Sequence, residues 1–128
     1  MDNKQRKQAN RRSSDRLIGW LVSYELDESG FSYKITTGKT FIAKDDTADV
    51  RTLAINDDTI NSPHLVLKAT DQHTIFALDI FSDNGSFLQR GNEQERPISG
   101  PVKLKHGDWI RIGDNTRFQV CLIDGQTK

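Results

Sequence analysis

The sequence predicts an all-β fold, an antiparallel sandwich or barrel of ten or eleven short strands. Three observations lead there. From Leu17 onward, apolar residues recur with a period of two rather than 3.6. Clusters of Gly, Asn, Asp, Ser and Pro interrupt that alternation at short, regular intervals. No stretch carries the i, i+3, i+4 apolar spacing of a surface helix. A length of 128 residues fits one domain.

The elements follow in order. A first strand sets Trp20, Val22 and Tyr24 on one face and Leu17, Gly19 and Leu21 on the other. Asp27 to Gly30 turn the chain into Phe31, Tyr33 and Ile35, which alternate with Ser32, Lys34 and Thr36. Thr37-Gly38 turns it again into Thr40 to Ala43. Beyond the polar loop from Lys44 to Asp49, Leu53 and Ile55 mark a strand, and a second polar loop runs from Asn56 to Pro63. His64 to Ala69 and Ile75 to Ile80 alternate, and Asp83-Asn84-Gly85 is a turn because Asn-Gly tolerates positive φ. Ser86-Phe87-Leu88 leaves that turn, and a polar stretch from Gln89 to Gly100 precedes Val102 to Leu104. Trp109 to Ile112 follows a tight turn, Gly113 to Asn115 turn once more, and Phe118, Val120 and Leu122 end the pattern. Trp20 and Trp109 are expected in the core.

Eighteen basic residues balance eighteen acidic ones, but unevenly. Residues 1–16 hold six basic and two acidic residues, a net +4, which leaves −4 on the other 112. Residues 1–16 are therefore read as a disordered basic tail, 17–124 as the folded domain, and 125–128 as a C-terminal tail or the start of a linker. Arg11-Arg12-Ser13-Ser14 resembles a basophilic kinase site with Ser14 as acceptor. The tail has no aromatic residue to stack on bases, and no nucleic-acid partner is expected. The longest uncharged apolar stretch, Leu17 to Tyr24, is far short of the ~20 residues of a membrane span. One cysteine, Cys121, excludes an internal disulfide and suits a reducing, cytoplasmic setting. It is read as buried or half-buried packing.

Enzyme motifs fail. Gly38-Lys39-Thr40 lacks the earlier glycine of a phosphate loop, with Tyr33 in its place, and a strand follows instead of a helix. His64, His73 and His106 have no zinc spacing, and Cys121 has no activating neighbour. The loop acids Asp45, Asp46, Asp49, Asp57 and Asp58 read as solvated turn residues. No catalytic residue, metal site or cofactor is expected.

Four segments stand out in order: Ile42-Ala43-Lys44, Asn61-Ser62-Pro63-His64, Ser82 to Phe87, and Gly107 to Gly113. Together they resemble the forkhead-associated (FHA) domain across about residues 17 to 124. The resemblance implies a β-sandwich of about eleven mostly antiparallel strands, with phosphothreonine-peptide binding by loops at one end. In that family an Arg and a Ser hold the phosphate, and the residue before Asn-Gly assists. The Asn binds the peptide backbone, while the His and the Gly support the loops.

Here Lys44 stands at the Arg position. It keeps the charge without the bidentate fork. Ala43 replaces the preceding Gly, and Asn61 replaces the Ser, with Ser62 adjacent. Asp83 stands where a neutral residue is usual and would repel a phosphate. The resemblance thus implies Lys44, Asn61, Ser62, Asp83 and Asn84 as phosphopeptide-binding residues. His64, Gly85 and Ser86 become loop supports, with His64 bonded to Ser86. Arg51 and Arg90 are candidates for a missing cation. The expected function is a phosphorylation-dependent signalling module for a phosphorylated protein or peptide, regulating an attached effector domain. The alternative is a degenerate domain used for phosphorylation-independent assembly or oligomerisation.

Overall fold

The computed structural model describes residues 16–46 and 49–124. The expected basic tail, apart from Arg16, its kinase-like Ser13-Ser14, and residues 125–128 lie outside these. The described residues form eleven strands and no helix, so no helix is long and apolar enough to cross a membrane. The strands are β1 Leu17–Ser23, β2 Phe31–Thr36, β3 Gly38–Ala43, β4 Thr52–Ala54, β5 Leu65–Ala69 and β6 Ile75–Asp79, followed by β7 Ser86–Gln89, β8 Arg96–Pro97, β9 Val102–Lys103, β10 Trp109–Ile112 and β11 Thr116–Leu122. The two-residue β8 falls inside the polar stretch where no strand is expected, and pairs with β7 through Phe87 and Leu88.

Two sheets result, a six-stranded one in the order β2-β1-β11-β10-β7-β8 and a five-stranded one in the order β4-β3-β5-β6-β9. All pairings are antiparallel except β3 with β4. Alternation puts one set of side chains between the sheets. Leu21, Ile35, Ile110, Ile112, Phe118 and Val120 from one sheet meet Ile42, Leu65, Leu67, Ile75 and Ala77 from the other, all wholly buried. Each such Ile or Leu contributes about 1.5–3 kcal/mol by leaving water. In β1 the register with β2 shifts between Leu17 and Gly19, which lets Ile18 and Leu21 both face inward.

Neither tryptophan joins this core. Trp20 and Trp109 are only partly buried, with the parity that faces away from it, and the Arg117 guanidinium lies 4.6 Å from the Trp109 ring centre. Period-two alternation separates two faces but does not say which one is covered, and Ile110 and Ile112 take the inner side. Cys121 is half-buried, as expected.

Candidate binding site

The connections after β3, after β4, after β6 and after β10 meet at one end of the sandwich. Backbone bonds tie them: Lys44 N–H to Asn61 O at 3.1 Å, Ile80 N–H to His64 O at 3.0 Å and Gly113 N–H to Gly85 O at 3.2 Å. Gly85 has φ +83°, and Gly113 has φ +62° and packs so close to Thr59 that a Cβ would lie 2.5 Å from its hydroxyl. Both places require glycine.

An inner layer braces this end. His64 is wholly buried. Its Nδ1 accepts the Asn61 N–H at 3.0 Å, so the ring proton sits on Nε2 and is donated to Gly85 O at 2.9 Å. The expected partner, Ser86, instead donates its hydroxyl to Asp79 Oδ2 at 2.5 Å. The alternation of β7 turns Ser86 inward, leaving the preceding carbonyl for the imidazole. Asp79 also accepts the Ser82 N–H at 2.9 Å and the Ser82 hydroxyl at 2.6 Å. Burial raises the Asp79 pKa, but the bonds from Ser82 and Ser86 outweigh it and hold the carboxyl below its ordinary range.

An outer layer carries the predicted contact residues. Lys44 Nζ lies 2.9 Å from Asp58 Oδ1, with side-chain exposures of 36% and 93%. The Asp58 hydrogen bond and charge raise the Lys44 pKa. Asn61 and Asp83 bond reciprocally: the Asp83 N–H donates to Asn61 Oδ1 at 2.7 Å, and Asn61 Nδ2 donates to Asp83 Oδ2 at 3.2 Å. Ser62 Oγ accepts the Asp45 N–H at 2.8 Å, and Asn84 Nδ2 donates to Thr59 O at 3.0 Å. Lys44, Asn61, Ser62, Asp83 and Asn84 thus come from three loops to one surface. Lys44 keeps two further N–H groups, Asn61 keeps a second amide proton, and Ser62 keeps its hydroxyl proton.

Arg51 and Arg90 do not join them. The Arg51 side chain turns back along β3 to Lys39 O at 3.2 Å, to Thr37 O at 2.9 Å and to the Thr36 hydroxyl. Arg90, at the far end of β7, is paired with Asp108. Asp58 was among the acids read as solvated, and its part as the Lys44 partner has no sequence signal among so many loop carboxylates. Phe81 was also missed. It is 99% exposed at φ 51°, a conformation rare for an aromatic, directly before Ser82 and Asp83. Among the described residues no group of three or more His, Cys, Asp or Glu is placed to hold a metal ion.

The family profile described as FHA domain matches residues 38–113, more than half of the chain. The chain belongs to the FHA family. Comparison with curated proteins gives no match. Among solved structures, the FHA domain of CT664 protein from Chlamydia trachomatis is similar with a TM-score of 0.67 at 16% identity, over 85% of this chain and 99% of that one. An FHA domain from an analysis of phosphothreonine-dependent FHA interactions gives 0.65 at 21% identity, over 84% and 98%. The FHA domain of human APLF, in complex with an XRCC1 bisphospho peptide, gives 0.64 at 19% identity, over 82% and 99%. The sandwich with its loop cluster at one end is therefore an FHA fold.

Proposed function

We propose that the loop end binds a phosphothreonine-containing segment of a partner protein, with the phosphate taking the place that Asp58 holds on Lys44. One observation carries this reading. The Lys44 ammonium is already engaged by an anion, and that anion belongs to a side chain 93% exposed. An exposed carboxylate pair is worth little and exchanges readily. A phosphate offers more charge and three strong acceptors to Lys44, Asn61 and Ser62. Asn84 is set for the peptide backbone, while His64, Gly85 and Ser86 hold the loops. Recognition needs no chemical step and no cofactor.

Asp83 favours a second reading, phosphorylation-independent assembly, because its carboxylate accepts the Asn61 amide on the same surface. Fluorescence anisotropy with matched phosphorylated and unphosphorylated threonine-peptide libraries separates the two. The first reading expects binding of phosphorylated members only. Lys44→Ala then weakens it roughly tenfold to a hundredfold, the loss of about 1.5–3 kcal/mol of charge-assisted hydrogen bonding. Asp58→Ala and Asp83→Thr strengthen it, most at low salt. Equal binding of both peptide sets, unchanged by Lys44→Ala, selects the second reading.

A further inference from the structure

An antiparallel sheet with one face in water turns polar residues outward. The five-stranded sheet does so mainly in one row. Lys39, Lys68, Phe76 and Lys103 pair across β3, β5, β6 and β9, so their side chains share a face, and the three lysines are exposed. None of the three is in an ion pair among the described residues. Asp71, in the turn after β5, shares a hollow with Lys68 but makes no ion pair with it. The neighbouring row on the same face is apolar: Phe41, Val66 and Leu78 lie level with one another. They line a groove together with Ile80, Lys39 and Lys68. Two routes lead from this groove to the loop end. Phe41 also lines a hollow with Val50, Pro63 and Ser62, one of the candidate contact residues. Ile80 is followed directly by Phe81, Ser82 and Asp83. Four large apolar side chains are exposed among the described residues, and three of them, Val50, Leu78 and Phe81, lie on these routes. Apolar surface gathered in this way marks a place of contact.

We propose that the partner segment carrying the phosphothreonine continues onto this face, with apolar side chains in the groove at Phe41, Val66 and Leu78 and carboxylates against Lys39, Lys68 and Lys103. The proposal rests on the phosphothreonine reading of the loop end. Charge sets the order of residues along the segment. Beside the contact residues stand exposed carboxylates, Asp58 on Lys44 and Asp83 on Asn61. They disfavour acids close to the phosphothreonine. The lysine row offers three cations without an ion pair, and an acidic stretch complements them. Spacing follows from β3. Lys44 lies three residues beyond Phe41 and five beyond Lys39. At the rise of a strand these are about 10 and 17 Å. An extended partner therefore reaches the groove about three or more residues from its phosphothreonine, and the lysines about five or more. The partner class is thus a phosphorylated segment whose flank is apolar first and acidic beyond.

Fluorescence anisotropy on the full chain tests this. The core probe is the tightest member of the phosphothreonine library, with three residues on each side of the phosphothreonine. It is extended at one end or the other by Leu-Leu-Glu-Glu-Glu. At low salt one of the two extended peptides binds roughly tenfold tighter than the core, through leucine burial and exposed charge pairs. The gain shrinks as salt rises, since the charges are screened. In Lys39→Glu/Lys68→Glu/Lys103→Glu and in Leu78→Asp, core and extended peptides bind alike. The reversed extension, Glu-Glu-Glu-Leu-Leu, loses most of the gain. Lys44→Ala weakens core and extended peptides by the same factor. The four positions changed on the sheet are exposed, and thermal melts verify folding. A core that binds while neither extension binds tighter overturns this proposal and leaves the phosphothreonine reading standing. So does a gain that survives either variant, or one that the reversed extension reproduces in full. A library without any phosphorylated binder overturns both readings together. An unphosphorylated extended peptide that binds as tightly as the phosphorylated one makes the face a separate acidic-peptide site and overturns the continuation.

Discussion

Two ion pairs of the same 2.9 Å length sit in different regions of the molecule and do different things. At the loop end, Lys44 and Asp58 touch once, in water. At the opposite end of β7, Asp108 is 1% exposed. It accepts Arg90 through both carboxylate oxygens at 2.9 Å, and the Lys105 N–H at 2.7 Å. Bidentate geometry and full satisfaction make the second pair part of the fold. The first is an exposed surface contact, which adds little to stability. Beneath the first, at the same loop end, lies the partly buried Asp79 carboxylate with the neutral donors Ser82 and Ser86 around it. The difference teaches that the same pairing chemistry gives a single exposed contact at the loop rim and a buried, two-oxygen clamp beyond the far end of β7.

Four substitutions break or sharpen that contrast. Asp108→Ala leaves Arg90 and the Lys105 N–H facing a cavity and should destabilise by about 3 kcal/mol, read from urea midpoints. Asp79→Asn should cost about 2 kcal/mol at pH 7, because the amide replaces a charge-assisted acceptor of three bonds. This cost depends on pH. The Asp79 pKa is depressed on folding, so its contribution is full above the ordinary carboxylate range and disappears as pH falls through the folded value. Asp57, whose carboxyl is held low by the Thr116 hydroxyl and the Thr59 N–H, loses its contribution in the same direction. Denaturation of wild type and Asp79→Asn side by side should show their gap closing below about pH 4. Ser86→Ala should cost about 1 kcal/mol, one bond of that cluster. Asp58→Ala should leave the midpoint within about 0.5 kcal/mol. A loss as large as that of Asp108→Ala would make the Lys44 pair structural and remove the contrast.

Much of this arrangement was readable in the residues. Leu65, Leu67, Ile75 and Ala77 alternate with more exposed neighbours, and Asn84-Gly85 marks a turn, because pleat parity and positive φ are local properties. The resemblance also brought Lys44, Asn61, Ser62 and Asn84 to one end. What stayed hidden depends on packing between segments distant in sequence. Trp20 and Trp109 lie on the outward side because the inner side was filled by smaller aliphatic residues that also alternate. The His64 partner differs from the expected one because Ser86 is taken by Asp79. Asp58 is indistinguishable in sequence from Asp45 or Asp46, and only its placement opposite Lys44 gives it a role. Arg51 and Arg90 were candidates by charge alone, and backbone carbonyls and Asp108 had already engaged them.

The segment between β4 and β5 is stitched to both sheets. Asp57 accepts the Thr116 hydroxyl of β11 at 2.7 Å, the Thr59 hydroxyl accepts the Asp114 N–H at 3.0 Å, and Thr59 O receives Asn84. The loop's ordering entropy is therefore spent during folding, not on encounter with a partner. Association through this end should proceed at the speed of docking two preformed surfaces, without a slow rearrangement step in the kinetics. Differences in affinity among partner sequences would then appear as differences in how long each stays bound.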